Sequence, residues 1–438
     1  MSFDLPALPE TWSYVPLDQL TQPGSVTYGV VQPGAALTEG VPMIRVNNFK
    51  DGRLELGDLM RIDPEIESKY GRTRLKGGEV LLTLVGSVGQ VAVAPQNVSG
   101  FNVARAVAVI HPVEGIESEW IALCLRSPLS QHLLDSRANT TVQTTINLKD
   151  LRALPIPIPP LSERLEISAV MSALDDRVVL LRETNATLEA IAQALFKSWF
   201  VDFDPVRAKA EGRQPEGMDA ATAALFPDSF EVSELGLVPK GWRYVSLKEI
   251  TAIFDSQRVP LSGQERDKRK GIYPYYGAAS LMDWVDGYLF DGVYLLLGED
   301  GSVADTAGNP VTQYVWGKIW VNNHAHVLQG RAGVSTEHLM LALQKTNVSP
   351  YITGAVQAKL SQANMWRIPF LRSSEAVSMA FGEAIAPLFA SIRHNHEQSQ
   401  TLTQLRDTLL PRLISGHLRM PETDALVAGD TRACTSAY

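Results

Sequence analysis

The sequence lacks the signatures of most enzyme classes. No Gly-x-Gly-x-x-Gly opens a helical pattern, no Gly-x-x-x-x-Gly-Lys-Ser/Thr phosphate loop occurs, and there is no Gly-x-Ser-x-Gly elbow. The Asn/Asp-Pro-Pro-Tyr/Phe signature of amino-group methyltransferases is missing too; its nearest fragments are Asp204-Pro-Val and Asn309-Pro-Val. Cysteine is scarce. The two present, Cys124 and Cys434, lie too far apart to suggest a metal site or a disulfide framework. A reduced cytoplasm is therefore the expected compartment. No apolar run approaches the roughly 20 residues of a membrane span, Val80–Val85 being among the longest. The opening MSFDLPALPETW has neither the basic nor the apolar region of a signal peptide, so no membrane partner is expected.

Positive charge is in deficit. Lys and Arg number 39 against 48 Asp and Glu, a net charge of −9, which as an average points away from nucleic acid. Distribution matters more than the sum. Arg61, Lys69, Arg72, Arg74 and Lys76 form one basic cluster; Arg258, Arg266, Lys268, Arg269 and Lys270 form another. By itself, Arg266-Asp-Lys-Arg-Lys270 reads as a solvated loop. The apolar fraction of 45% and charged fraction of 20% are those of a globular protein, and 438 residues suffice for two or three cores.

What the sequence does contain is repetition. Leu174, Val178, Leu181, Asn185, Leu188, Ala192, Leu195 and Trp199 alternate at spacings of four and three, the seam of a helix supercoiling on a partner. Asn185 is the polar seam residue that fixes register at some cost in stability. The same spacing returns 214 residues later in Leu388, Ile392, Asn395, Ser399, Leu402, Arg406, Leu409 and Leu413. Ordinary amphipathic helices would share the periodicity, but the constant offset argues for matched helices. Arg406 departs from the apolar pattern and implies either a carboxylate partner or an exposed stretch. The first helix is expected from Ser162, as N-cap, to about Val201; the second starts at Ser373 or Ser374 and kinks or ends early at Pro411, with Gly416 as C′ residue.

Two globular segments precede these helices. Pro9-Glu-Thr-Trp12-Ser-Tyr14-Val15 opens the first, and Pro239-Lys-Gly-Trp242-Arg-Tyr244-Val245 opens the second, 230 residues on. They close on Val142-Gln143-x-x-Ile146 with Leu154-Pro155-Ile156, and on Val356-Gln357-x-x-Leu360 with Ile368-Pro369-Phe370, at an offset of 214. The frames match while the contents differ by 16 residues of insertion. Short β-rich runs at Pro42–Val46, Glu79–Val85, Val103–Ile110, Val293–Leu297, Gln313–Trp316 and His326–Leu328 lack regular strand–helix alternation, which predicts mixed α+β domains. A connector from Pro205 to Gly241 holds one short helix at Asp219–Leu225. His324 and His326 could pair on a strand face, but no third ligand follows at useful spacing, so no metal is expected. Gly86-Ser-Val-Gly89 reads as a simple turn before it reads as a phosphate cradle.

Four phrases carry a resemblance. Phe196-Lys-Ser-Trp-Phe-Val-Asp-Phe-Asp-Pro-Val206 looks like the central conserved region of the specificity subunit of Type I restriction–modification systems, and Leu409-Leu-Pro-Arg-Leu-Ile-Ser-Gly-His-Leu418 resembles that family's C-terminal conserved region. Gly78–Gly89 and Val321-Asn-Asn-His-Ala-His-Val327 are similar to phrases of its target recognition domains. The resemblance implies an α+β chain: two mixed α/β target recognition domains in a pseudo-twofold repeat, separated by two long antiparallel coiled-coil helices. Its expected division is 1–158 and 239–371 for the recognition domains, 159–204 and 372–420 for the helices, 205–238 for the connector and 421–438 for a mobile tail. It also implies a chain that is not itself an enzyme. Each domain would read half of a split target in double-stranded DNA. Two modification subunits would bind S-adenosylmethionine and methylate adenine after flipping it from the stack, and restriction subunits would bring ATP and Mg. No cofactor is expected on this chain. The seam from Leu174 to Trp199 spans about 39 Å at roughly 1.5 Å per residue, close to one DNA turn of about 34–36 Å.

Donor geometry for guanine and adenine edges selects Arg45, Asn47, Asn48, Arg72, Arg74 and Ser87 in the first domain. In the second it selects Arg258, Lys268, Arg269, Tyr275, Tyr276 and His324. The competing reading is a coiled-coil scaffold that joins two protein-binding domains and never touches DNA.

Overall fold

The computed structural model describes residues 5–137, 145–354 and 357–419. Val142-Gln143, Val356, Met420, Cys434 and the tail 421–438 lie outside them. The chain forms two compact units, Met1–Val179 with Ser399–Tyr438, and Leu180–Gln398. This differs from the division read in the sequence, which set the helices apart as segments of their own: each unit contains half of each long helix.

In the first unit, Ser13–Pro16 pairs antiparallel with Pro155–Ile158, placing Ser13 opposite Ile158 and Pro16 opposite Pro155. Prolines are tolerated there because the pair has no third strand needing their missing N–H groups. Between these strands lie a four-stranded sheet, ordered Thr27–Tyr28, Val107–Ile110, Val80–Thr83 and Val91–Val93, and a three-stranded sheet built on Val41–Ile44. The helix Ser118–Arg126 seals the core with Trp120, whose Nε1 donates to the Pro157 carbonyl at 2.9 Å.

The second unit repeats the frame in the same register. Arg243–Ser246 pairs with Pro369–Arg372, Arg243 facing Arg372 and Ser246 facing Pro369. Those positions are the first unit's shifted by the two sequence offsets. The contents differ: one six-stranded sheet runs Thr251–Ile253, Ala325–Gly330, Phe290–Gly298, Thr312–Val321, Lys270–Tyr276, Leu281–Val285. The last two strands of that order, Lys270–Tyr276 and the edge strand Leu281–Val285, were not legible as strands, and the connector also holds a missed hairpin, Phe230–Ser233 with Gly236–Pro239.

The long helices are Leu161–Phe200 and Glu375–Ile414. In the second unit Asn185 Nδ2 donates to the Ile392 carbonyl at 3.1 Å, and Asn395 Nδ2 donates to Asn185 Oδ1 at 2.9 Å. The two polar seam residues thus satisfy one another, which is how a buried polar position fixes register. In the first unit Arg406 Nη1 donates to Asp175 Oδ1 at 2.9 Å, the carboxylate partner its seam position called for. Later residues of one helix meet earlier residues of the other in both units, so the helix halves run antiparallel. Leu174, Val178, Leu181, Leu409 and Leu413 are buried, while Leu188, Leu195, Leu388 and Leu402 are partly so. Trp199 is buried too, packed on Phe381 of the other long helix and on Phe226 and Phe200.

Three helix expectations need correction. Ser162 is not the cap: the Pro160 carbonyl accepts the Arg164 N–H, so the helix begins one residue before Ser162. Pro411 does not end its helix, which continues to Ile414. The second helix is also long and apolar enough to satisfy the length and composition of a membrane span, contrary to the sequence reading. Its apolar residues Val377, Phe381, Ile385 and Phe389 are no more than 2% exposed within their own unit, so they are already buried in protein. Ser374 does cap that helix, its Oγ accepting the Val377 N–H at 3.2 Å. Gly416 has φ +71 after the last turn, and a Cβ there would lie 2.5 Å from Pro9 Cγ.

The place of Trp120 is taken in the second unit by His338, on helix Thr336–Leu343. His338 is 1% exposed and packed among Phe196, Phe200, Phe370 and Phe381, with no hydrogen-bond partner for either ring nitrogen. Burial pushes its pKa down from 6.5 to about 3. The unfolded chain therefore takes up a proton below pH 6.5 that the folded chain refuses, so stability falls with pH across the window from 6.5 to 3. We predict that His338→Leu is more stable than the native chain at neutral pH. The gap should widen by about 1.4 kcal/mol per pH unit below 6.5, read from urea unfolding at pH 7.5 and 5.5.

Candidate nucleic-acid interface

Cations were the main candidates for DNA contact, so their partners decide what each can do. In the first unit Arg74 Nε and Nη2 grip Glu67, a carboxylate only 3% exposed, at 2.8 and 2.5 Å. That hydrogen bonding holds the Glu67 carboxyl below its usual range. Arg74 is thus committed to Glu67, with its side chain still half exposed. Asn48 is corrected: it is 2% exposed, accepts the Arg45 N–H, and donates to the Glu55 and Asp58 carbonyls at 3.0 and 2.9 Å. Its amide closes a loop and has no face left for a base. Arg45 and Asn47 both reach Asp58 Oδ2 at 3.4 Å, long contacts at an exposed carboxylate that a stronger ligand can replace.

Ser87 sits exposed on the Gly86–Gly89 turn. The N–H groups of Val88 and Gly89 already bond to the Gly86 and Thr83 carbonyls, so the turn is no phosphate cradle. Arg72 is exposed. With Lys76 and Lys69 it has no ion-pair partner among the described residues. Arg72 and Lys76 line a cleft of about 520 Å³ together with Gln22, Ser25, Glu79 and His111. Sequence reasoning missed His111, which lies 35 positions beyond Lys76 and carries no motif.

The second basic cluster is different. Arg266 and Lys270 share Asp283, at 3.1 and 2.9 Å, and this pairing lowers the Asp283 pKa to about 2. Arg269 bonds Asp286 at 2.8 Å and lies over the Trp320 ring at 4.8 Å. Arg269 is therefore corrected from free donor to paired side chain. The expected solvated loop is the short helix Gly263–Lys268 leading into a strand, with Lys268 pointing to solvent. Tyr275 is 1% exposed, its hydroxyl exchanging hydrogen bonds with the Leu261 backbone, so it is core and touches no base. Tyr276 is half-buried, and burial raises its hydroxyl pKa.

Arg258 is the clearest correction. It is inserted between Asp255 at 3.3 Å and Glu299 at 2.8 Å, and donates to the Ala325 carbonyl at 2.7 Å. His326 joins them, with Nδ1 at 2.6 Å from Asp255 and Nε2 at 2.8 Å from the Leu360 carbonyl. Asp255, Glu299 and His326 each offer a ligand atom within 4.8 Å of the others, a set whose carboxylates no local spacing could reveal. The guanidinium of Arg258 occupies the centre of that charge, and both His326 nitrogens have acceptors. His324 does not share a strand face with His326: it precedes the strand and bonds Asp300 at 2.5 Å.

Beside the spent cluster the second unit exposes an apolar strip on the strands Lys270–Tyr276 and Leu281–Val285 and the loop that follows them. Ile272, Leu281, Met282, Trp284 and Tyr288 are each more than 40% exposed, and Lys318 lies over the Tyr288 ring at 5.0 Å. Such groups can meet thymine methyls or stack on bases.

The burial difference between candidates is testable. Arg258→Ala should cost on the order of 3 kcal/mol in unfolding free energy by stranding two partly buried carboxylates. Lys268→Ala should stay within about 0.5 kcal/mol of the native chain, both read from urea midpoints.

Comparison with known proteins adds an independent line. The family model described as the Type I restriction modification DNA specificity domain matches residues 32–190 and 239–370, more than half of the chain. The EcoBI specificity subunit of Escherichia coli is 32% identical over 198 residues, 43% of this chain and 42% of that protein, so the match spans less than half of that relative's length. The HindI specificity subunit of Haemophilus influenzae is 25% identical over 340 residues, covering 65% of this chain and 73% of its own. A crystal structure of the Type I restriction–modification S subunit from M. genitalium has the same fold. Its TM-score is 0.58 at 16% identity, covering 94% of this chain and 98% of that one.

Proposed function

The chain belongs to the family of Type I restriction–modification DNA specificity subunits, and from that premise we propose that it reads a bipartite target in double-stranded DNA, one half per recognition domain. The observation that carries this reading is the frame: both halves enter and leave through one strand pair in the same register, around contents of different length and topology. Selection for different DNA sequences calls for a constant mount and variable contents. A scaffold for two protein partners has no specific observation in its favour.

On this reading the chain is not a catalyst. Its target is modified by two methyltransferase subunits that carry S-adenosylmethionine, and cut by restriction subunits that use ATP and Mg, in the cytoplasm. The long helices serve as the spacer between half-sites and as the mount for the modification subunits. Partner subunits also answer the charge problem. Affinity for duplex DNA comes largely from neutralised phosphates, and a chain with a net charge of −9 supplies few of these alone.

The expected result is therefore weak, sequence-indifferent binding by the isolated chain and specific binding once the modification subunit is added. A mobility shift on target and scrambled duplexes at physiological salt reads both. Tight specific binding by the chain alone would contradict the division of labour, and no specific shift with the modification subunit would contradict the function.

A further inference from the structure

We propose that the cleft between Gln22–Thr27, Gly71–Glu79 and His111–Ser118 in the first unit is a phosphodiester-binding site that seats the backbone of the DNA duplex. The inference rests on the reading of the chain as a DNA specificity subunit and adds to it a place and a chemistry.

Three observations carry it. First, the cleft, about 520 Å³, is roomy enough for a sugar–phosphate unit. Second, Arg72 and Lys76 line it without an ion-pair partner among the described residues, whereas Arg74 beside them is held by Glu67 and most cations of the second cluster are paired. Third, the cleft's one carboxylate is committed to the backbone. Glu79 is 3% exposed and accepts the N–H groups of Lys76 and Gly77 at 2.7 and 3.0 Å. It therefore orients the Lys76 backbone and leaves the ammonium free.

His111 completes the wall. Its Nδ1 lies 3.8 Å from Glu79 Oε1. Burial holds its pKa below 6.5, with Glu79 acting against that shift and Lys76 with it. At neutral pH the ring is thus a neutral hydrogen-bonding group, and the Ser25 and Gln22 side chains add polar groups at the rim. Two free cations match one or two phosphate oxygens and carry no base-edge pattern. The cleft is a positioning contact, equally strong on every sequence.

The test uses the full chain assembled with its modification subunit. Arg72→Ala/Lys76→Ala should weaken binding to target and scrambled duplexes by about the same factor, tenfold or more. It should also lower the slope of log K against log salt by about two, one per lost phosphate contact, between 50 and 200 mM. Arg72→Lys/Lys76→Arg should restore most of the affinity, and circular dichroism melting should show all variants folded. Unchanged affinity and slope, with the native complex still specific for its target, would overturn the cleft and leave the function standing. A native complex that binds no duplex specifically would overturn both. Inorganic phosphate serves as the second probe. If it shifts the His111 ring resonances at low millimolar concentration while duplex affinity ignores the double substitution, the site takes a small phosphate ligand and the DNA assignment is wrong.

Discussion

The pairing of each domain's first strand with its last is the constraint on which the rest depends. Ser13–Pro16 against Pro155–Ile158, and Arg243–Ser246 against Pro369–Arg372, bring the entry and exit of each domain together at the root of a long helix. The helix start is then anchored by charge. Arg164, 5% exposed, bonds Glu117 and the Gly115 carbonyl, and Glu163 accepts from Trp12 Nε1 at 3.1 Å. Because the frame closes on itself, the chain between the paired strands is free to differ. Three separate sheets, of four, three and two strands, fill it in one unit and a single six-stranded sheet in the other. The long helices then need only register, which Asn185 with Asn395, and Asp175 with Arg406, provide.

Charge is used differently in the two halves. The second domain neutralises most of its basic cluster internally and exposes aromatic and aliphatic edge residues, while the first keeps Arg72 and Lys76 free at a cleft. A net acidic chain and a DNA-facing role are compatible when the uncommitted cations are local and the remaining phosphates fall to partner subunits.

The frame was legible because it is written twice. Matching phrases at constant offsets gave the helix seams, the openings and closings of both domains and the division into two halves. The fold class followed from the absence of strand–helix alternation. The site was far less legible. Arg258 has the same composition cues as any surface arginine, and its role depends on Glu299 and Ala325, which only the folded sheet brings beside it. Tyr275 lies on a strand whose Lys-Gly-Ile-Tyr-Pro start hides its β character, and a bulge in the pairing disturbs the alternation that would have marked it buried. Asn48 looks like an adenine reader and is a loop closer. Free and committed polar groups differ by contacts remote in sequence, and one chain without its contacts cannot separate them.

The central claim is that each recognition domain independently specifies half of the target. Exchanging residues 18–153 for those of another specificity subunit, with the strands Ser13–Pro16 and Pro155–Ile158 kept, leaves the frame intact. Methylation mapping of genomic DNA from cells carrying the exchanged chain and its modification subunit reads the outcome directly. One half-site should change while the other half and the spacing stay as they were. Alteration of both halves, in a chain that still assembles and methylates, would contradict the account.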